Sequence, residues 1–524
     1  MYYGLRGPRL GHAVAFVAGV GFLLFGYDQG VMGSLLTLPS FIQTFPEMDT
    51  VSDWLTDAEK SHNSTIQGVA VSLYEIGCMF GALATIFFGD RLGRIKIVFY
   101  GAIIMVIGAI IQAASFGLAQ FIVGRIVTGV GNGFITATLP MWLSECAKPE
   151  QRGPLLMLEG MEVTGGIALS YWIDFGFYFA KGEVSWRFPI AFQIVFALIP
   201  IALILKLPES PRWLIKKNRL DEGKQVLAAL FDTTPDDEYV TQLTAEVVVS
   251  LEVDNSGHGS FRRLFTNGRE KHFHRAMLGY WNQVMGQISG INIITYYAGT
   301  IYETSIGLSS LNSRILAAAN GTEYFLAAWF AFFTIERVGR RRLMIWGTTG
   351  QFLTMGILTG CVWGAEHGNS KAAIAAAVFL FVFNSCFAVG WLSMNWLYPA
   401  EITALSTRLP ANALSTSANW SFNFMVVMIT PIAFNNIKCY TYLIFCAINF
   451  LMIFVVYFLY PETKGRSLEE IDLFFEKSNP WKPWDVVRIA RETPYTHTGV
   501  EDFDALGRLH EKDDISHVEA SSAQ

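Results

Sequence analysis

Twelve runs of apolar residues, each about long enough to cross a bilayer, dominate this sequence and leave it few folds to choose from. They occupy 13–34, 65–88, 97–116, 119–142, 155–179, 187–207, 275–301, 312–335, 343–364, 372–397, 409–434 and 438–460. In lipid, backbone N–H and C=O groups must be satisfied within a helix or in a closed barrel. Runs of this length read as helices, so an all-α integral membrane protein is expected. Composition agrees: 52% of residues are hydrophobic and 16% charged, against roughly 25% charged in soluble domains. The net charge of −6 says little, since the charges lie mostly in loops and tails. No basic patch of the kind that tracks nucleic acid is present.

The runs form two sets of six, and short motifs repeat between the sets. Gly89-Asp90-Arg91-Leu92-Gly93-Arg94 follows span 2, and Glu336-Arg337-Val338-Gly339-Arg340-Arg341 follows span 8, an offset of 246 between the two acids. Glu145 and Arg152 are echoed by Glu401 and Arg408 at an offset of 256. Pro208-Glu209-Ser210 returns as Pro461-Glu462-Thr463 at an offset of 253. Three motifs in one order at nearly one spacing indicate a duplicated unit. The expected divisions are a first half at 1–207, a cytoplasmic linker with short helices at 208–271, a second half at 272–460 and a tail at 461–524.

Loop charges set the orientation. Arg91, Arg94 and Lys96 lie between spans 2 and 3, Arg337 and Arg340–Arg342 between spans 8 and 9, and Glu47, Asp49, Asp53, Asp57 and Glu59 between spans 1 and 2. The positive-inside rule places both termini in the cytoplasm. Asn63-Ser64-Thr65 is then a glycosylation sequon on the outer side, almost at the membrane. The six cysteines form no metal spacing and read as packing residues. The first span lacks a cleavage site and is expected to stay as a helix. In the linker, Leu220–Phe231 is amphipathic, and Val240, Leu243, Val247 and Leu251 keep helical spacing ahead of the glycine-containing stretch 255–259. The tail is expected to hold a helix at 467–477 and to be disordered after about 480.

With these features the sequence resembles the sugar porter family of the major facilitator superfamily, most closely its fungal members. The resemblance rests on Phe25-Gly26-Tyr27-Asp28, Gly89–Arg94, Gly124-Arg125, Ser144-Glu145 and Arg152-Gly153 in the first half. It continues through Pro208–Leu214, Gln287–Asn292, Tyr296-Tyr297, Glu336–Arg341, Trp396, Glu401, Arg408 and Pro461–Gly465. It implies a major facilitator fold of twelve transmembrane helices in two pseudo-symmetric six-helix halves, with the substrate site near the membrane midplane.

Asp28 is the most informative single residue, because a carboxylate inside an apolar span is costly unless paired or protonated. Arg125 in span 4 is its natural partner, and the resemblance makes the two a proton-coupling site. Separating the pair lets a proton bind, and closer approach expels it. A fixed ion pair that merely joins two helices is the alternative. Sugar hydroxyls call for amides and indoles. Span 7 offers Gln283, Gln287 and Asn292, on one broad face if the helix is regular, with Gly286 and Gly290 as points of bending; spans 10 and 11 offer Trp396, Trp420 and Asn423. All six match the family's sugar-contact positions. Tyr296 and Tyr297, together with Arg91, Arg94, Glu145, Arg152, Glu336, Arg340, Arg341, Glu401 and Arg408, are the expected gating residues. The loop set would tie the halves together when the outside is open.

Departures from the family pattern bear on substrate. Gly160 and Gly286 stand where the family has glutamines, Tyr324 where glucose facilitators have asparagine, and Ser393-Met394-Asn395-Trp396 replaces a proline-rich turn. Glu159 and Glu162 are unusual acids in span 5. The expected function is a monomeric plasma-membrane symporter of a hexose or pentose that needs no cofactor beyond the proton gradient. The alternatives are a passive facilitator, or a symporter of a polyol, a glycoside or a quinate-like acid. A nutrient sensor is disfavoured by the short tail, and no nucleophile–base or metal spacing suggests an enzyme.

Overall fold

The computed structural model describes residues 2–147, 152–253, 261–404, 407–466, 468–479 and 481–493. Stretch 255–259 and the tail beyond 493 lie outside them. Every regular element among the described residues is helical, and each of the twelve expected spans is present. Spans 1–4, 6, 10 and 12 are long and apolar enough by composition alone to cross a membrane. The other five carry more polar groups, which they turn inward: Glu159 and Asp174 in span 5, Gln283 in span 7, Asn320 in span 8, Gln351 in span 9 and Asn423 in span 11 are all buried. Large apolar side chains such as Phe87, Phe330, Trp346 and Leu451 face outward, as lipid contact requires.

The repeated motifs build the same knot twice. Gly93 and Gly339 end spans 2 and 8 at φ of 83° and 100°, a region that a side chain disfavours. Spans 3 and 9 start at once, with unsatisfied backbone N–H groups. Glu209 accepts from the amides of Arg94 and Ile95 at 3.0 and 3.2 Å. Glu462 accepts from those of Arg340 and Arg341 at 2.8 and 3.2 Å. Burial pushes the Glu209 carboxyl above its ordinary range, against the amide donors and Arg94, which draw it down. Arg94 pairs with Glu145 at 2.9 Å, and Arg340 with Glu401 at 2.9 Å. Three residues before each of those acids, Trp142 donates to Pro208 O at 3.0 Å and Tyr398 to Pro461 O at 2.9 Å. The sequence echoes are therefore one structural device in each half. Glu209→Ala and Glu462→Ala should each cost about 1–2 kcal/mol, read as earlier thermal unfolding of the purified chain. Unchanged unfolding in both would contradict the capping role.

Four expectations need correction. Spans 7 and 10 are not continuous. Span 7 divides into His272–Ile288 and Ile291–Thr300 at Gly290, whose φ is 105°. Span 10 passes from Ser370–Phe387 through a wide π turn at Ala388–Leu392 into Met394–Ile402. Span 2 begins at Asp57, eight residues early, because Thr56 and Glu59 form a reciprocal cap there. Asn63 therefore sits inside a helix, buried, with its Nδ2 donating to Asp49 O at 2.8 Å. The sequon nitrogen is therefore engaged within the protein in this conformation. Finally, the tail is not disordered throughout beyond 480. A helix at Asp485–Glu492 buries Val486, Val487 and Ile489, a short apolar face that the polar composition hid, and Arg466 donates to Thr493 O at 2.6 Å beside it.

The halves meet along three seams: span 2 against span 11, span 5 against span 8, and span 1 against the second segment of span 7. The short helices Pro211–Lys216, Leu220–Phe231 and Glu238–Val253 lie in the linker. Arg6 ties the N-terminus to them through Thr233 O at 2.6 Å.

Candidate substrate and proton sites

Asp28 and Arg125 meet in the first half with no exposed surface on either side chain, 3.3 Å apart. Arg125 also donates to Val71 O at 3.1 Å and covers the Tyr74 ring at 4.5 Å. Asp28 Oδ2 has no hydrogen-bond partner among the described residues. The pair is thus buried but incompletely satisfied. Such a pair adds little to stability, whereas losing one partner costs about 3–5 kcal/mol. A carboxylate oxygen left open is also a place where a proton can sit.

Hydrogen bonds between the halves gather at the end of the bundle remote from Gly93 and Gly339. Tyr171 donates to Thr295 O at 2.6 Å, and Trp172 to Thr322 Oγ1 at 2.8 Å. Buried Arg314 donates to Thr37 Oγ1 at 3.0 Å while pairing with Glu303 at 3.4 Å. Tyr296 donates to Glu75 of span 2. Tyr297 instead stays within its own half, donating to Val427 O at 2.9 Å. The far end is therefore closed in this conformation.

Around the two Gly turns, Arg94–Glu145 and Arg340–Glu401 each lie within one half. Arg341 points to span 12, donating to Tyr457 O at 2.6 Å, and Arg408 donates to Thr403 O at 3.3 Å. Arg91 is exposed. The side chains of Arg152 and Glu336 lie outside the described residues. These described pairs hold each half's own turn.

Of the expected sugar residues, Gln287 and Asn292 are in direct contact. Asn292 donates to Gln287 Oε1 at 2.5 Å across the break in span 7. Gln283 is more fully engaged: it donates to Asn395 O and accepts from Asn419, both at 2.7 Å. It therefore tethers span 7 to spans 10 and 11. Trp420 is fully buried, edge-on to Phe25 of the first half at 5.4 Å between ring centres. Trp420 Nε1, Asn423 Oδ1 and Asn395 Oδ1 have no hydrogen-bond partner among the described residues. Buried polar atoms are rarely left so, and a polyhydroxylated solute would satisfy them. Trp396 is half-buried.

Two of the departures have a structural counterpart. The Asn395 amide occupies the space that a Cβ at Gly286 would need, so an amide lost from span 7 is replaced from span 10. A Cβ at Gly160 would meet only Leu392 and Ser393 Oγ, at 3.7 and 3.9 Å. Tyr324 is buried edge-on to Phe387. Glu159 is buried with Oε1 unpartnered among the described residues, and Glu162 lies against Gly19 of span 1. A separate groove of about 650 Å³ between spans 7 and 12 is lined by Phe273, Met277, Trp281 and Met452. Gln283, Gln287 and Asn292 do not line it.

Sequence reasoning missed Glu75, Asp174, Arg314 and Glu323, all ionisable groups inside apolar spans. The rule that singled out Asp28 applies equally to them.

A family model described as "Sugar (and other) transporter" matches residues 14–475. The sugar transporter STL1 of Saccharomyces cerevisiae is 40% identical over 501 residues, covering 94% of this chain and 86% of its own. The major facilitator superfamily transporter mfsA of Aspergillus fumigatus is 38% identical over 480 residues, covering 91% and 88%. Among solved structures, the proton:xylose symporter XylE bound to 6-bromo-6-deoxy-D-glucose superposes with a TM-score of 0.73 at 24% identity, covering 89% of this chain and 99% of that one. That last likeness is one of fold.

Proposed function

Because the chain belongs to the sugar porter family of the major facilitator superfamily, we propose that it imports a monosaccharide together with a proton across the plasma membrane by alternating access. The family makes it a multi-pass membrane transporter of the sugar class and not an enzyme. The reading of proton coupling rests on one observation, the enclosed Asp28–Arg125 pair with an open carboxylate oxygen. The buried amides and Trp420 supply the solute site. Both termini lie in the cytoplasm and the closed far end faces outside, following the basic loops. The chain works as a monomer, driven by the proton gradient with no cofactor.

A second reading has its own support. With Gly160 and Gly286 in place of amides and Asn395 drawn in, the pocket also suits a polyol. Uptake of radiolabelled D-glucose, D-xylose and glycerol in a transporter-null yeast, with competing sugars, polyols and quinate, tests both readings. Saturable uptake of a hexose or pentose supports the first, and uptake of glycerol alone supports the second. No uptake of any of the three, at normal surface expression, would contradict both.

A further inference from the structure

The Asp28–Arg125 site contains one acid more than its cation balances. Glu75 follows Tyr74 in span 2, and Arg125 lies over the Tyr74 ring. The Glu75 side chain is fully buried. Its Oε1 accepts the Tyr296 hydroxyl proton, and Oε2 has no partner among the described residues. The titratable and charged groups facing it are Asp28 from span 1, Arg125 from span 4, Tyr296 from span 7, and Tyr74 and Cys78 from its own helix. Span 11, the helix Arg408–Ile437, also packs against span 2, but its only titratable residue is Arg408, at its first position. Those of span 3, Arg94, Lys96 and Tyr100, lie in its first two turns at the Gly93 end. One guanidinium therefore serves two enclosed carboxylates. With both ionised, a negative charge would be buried without compensation, a situation relieved by binding a proton.

We infer that Glu75 is a second seat of the transported proton, and that Tyr296 reports its occupancy to the outer end of the bundle. This rests on the proton-coupled reading above. An ionised Glu75 accepts a strong charge-assisted hydrogen bond from Tyr296, pinning Ile291–Thr300 to span 2 and holding the far end shut. A proton on Glu75 weakens that bond and lets the far end open. Transfer of the proton from Glu75 Oε2 to Asp28 Oδ2 breaks one O–H bond and forms another. It restores the Glu75 carboxylate, draws Tyr296 back and closes the far end, while Asp28 carries the proton onward. Departure of the proton from Asp28 returns it to its ion pair with Arg125.

The test uses the full chain in liposomes. Infrared titration of the carboxyl band from pH 5 to 8 needs no solute. Glu75→Gln and Asp28→Asn should each show one protonated carboxyl fewer than wild type at pH 7, because removing either acid leaves one carboxylate for one guanidinium. Proton uptake driven by D-glucose, D-xylose or glycerol should fall at least tenfold in Glu75→Gln. Glu75→Asp, which keeps an acid, should retain part of the proton uptake. Tyr296→Phe should leave the carboxyl count unchanged but raise cysteine labelling at the far end. An unchanged carboxyl count in Glu75→Gln, or wild-type proton uptake per solute in that variant, would overturn the inference. A wild type that moves solute without protons would instead overturn the symport reading, and the carboxyl titration would still decide whether Glu75 shares a proton.

Discussion

Asp28→Asn should abolish uphill accumulation and leave downhill exchange intact. Asparagine keeps the size and hydrogen-bonding capacity of the side chain but cannot take up or release a proton. At −100 mV the potential contributes about 2.3 kcal/mol per charge, enough for roughly 50-fold accumulation with one proton per solute. In the variant that ratio should fall to about one. The buried Arg125 would lose its partner at 3.3 Å, a change that usually destabilises by about 3–5 kcal/mol. Glu75 is close enough to supply the countercharge, so the variant should still fold and reach the membrane. Accumulation against a gradient by Asp28→Asn would remove this residue from the coupling mechanism and make a passive facilitator the better reading.

The second large effect is expected in the pocket. Gln287→Ala, Asn292→Ala and Trp420→Ala should raise the apparent KM while surface expression holds. Each lost buried hydrogen bond costs about 1–3 kcal/mol, roughly five- to 150-fold in affinity. Trp420→Ala also removes the aromatic contact with Phe25 that spans the two halves, so it should slow turnover as well. Gln283→Ala should behave differently. Its amide already joins Asn395 and Asn419, and its loss should lower stability and expression more than it changes KM. Normal kinetics in all three of the first variants would place the solute elsewhere. A pure KM effect in Gln283→Ala would show that its amide turns toward the solute.

Much of this architecture was legible because membrane helices are written in apolar length. The duplication was legible because each half needs the same knot. A glycine at positive φ, an arginine–glutamate pair and a glutamate over two helix-start amides require specific residues, so the motifs at Gly93 and Gly339 repeat visibly. Interruptions inside an apolar run were less legible. The π turn at Ala388–Leu392 leaves no mark in composition, whereas the break in span 7 falls at Gly290, already marked as a point of bending. The start of span 2 was misplaced because the Thr56–Glu59 cap extends the helix outward through polar residues. In the site, Asp28 and the span 7 amides stood out by residue type. Glu75 and Arg314 were equally exceptional, but their partners Tyr296 and Thr37 lie in the opposite half, and a linear reading gives no hint of that. The role of Asn395 depends on the empty space over Gly286, which only packing reveals.

Proton-coupled accumulation is the central claim, and reconstitution tests it most directly. Liposomes containing the full chain would be prepared with an imposed inward proton gradient, and radiolabelled D-glucose, D-xylose and glycerol followed in parallel with internal pH. The account predicts that at least one of these solutes rises well above its external concentration, that internal acidification keeps pace with it, and that a protonophore returns the ratio to one. Transport that never exceeds the external concentration, and that a protonophore leaves unchanged, would contradict it.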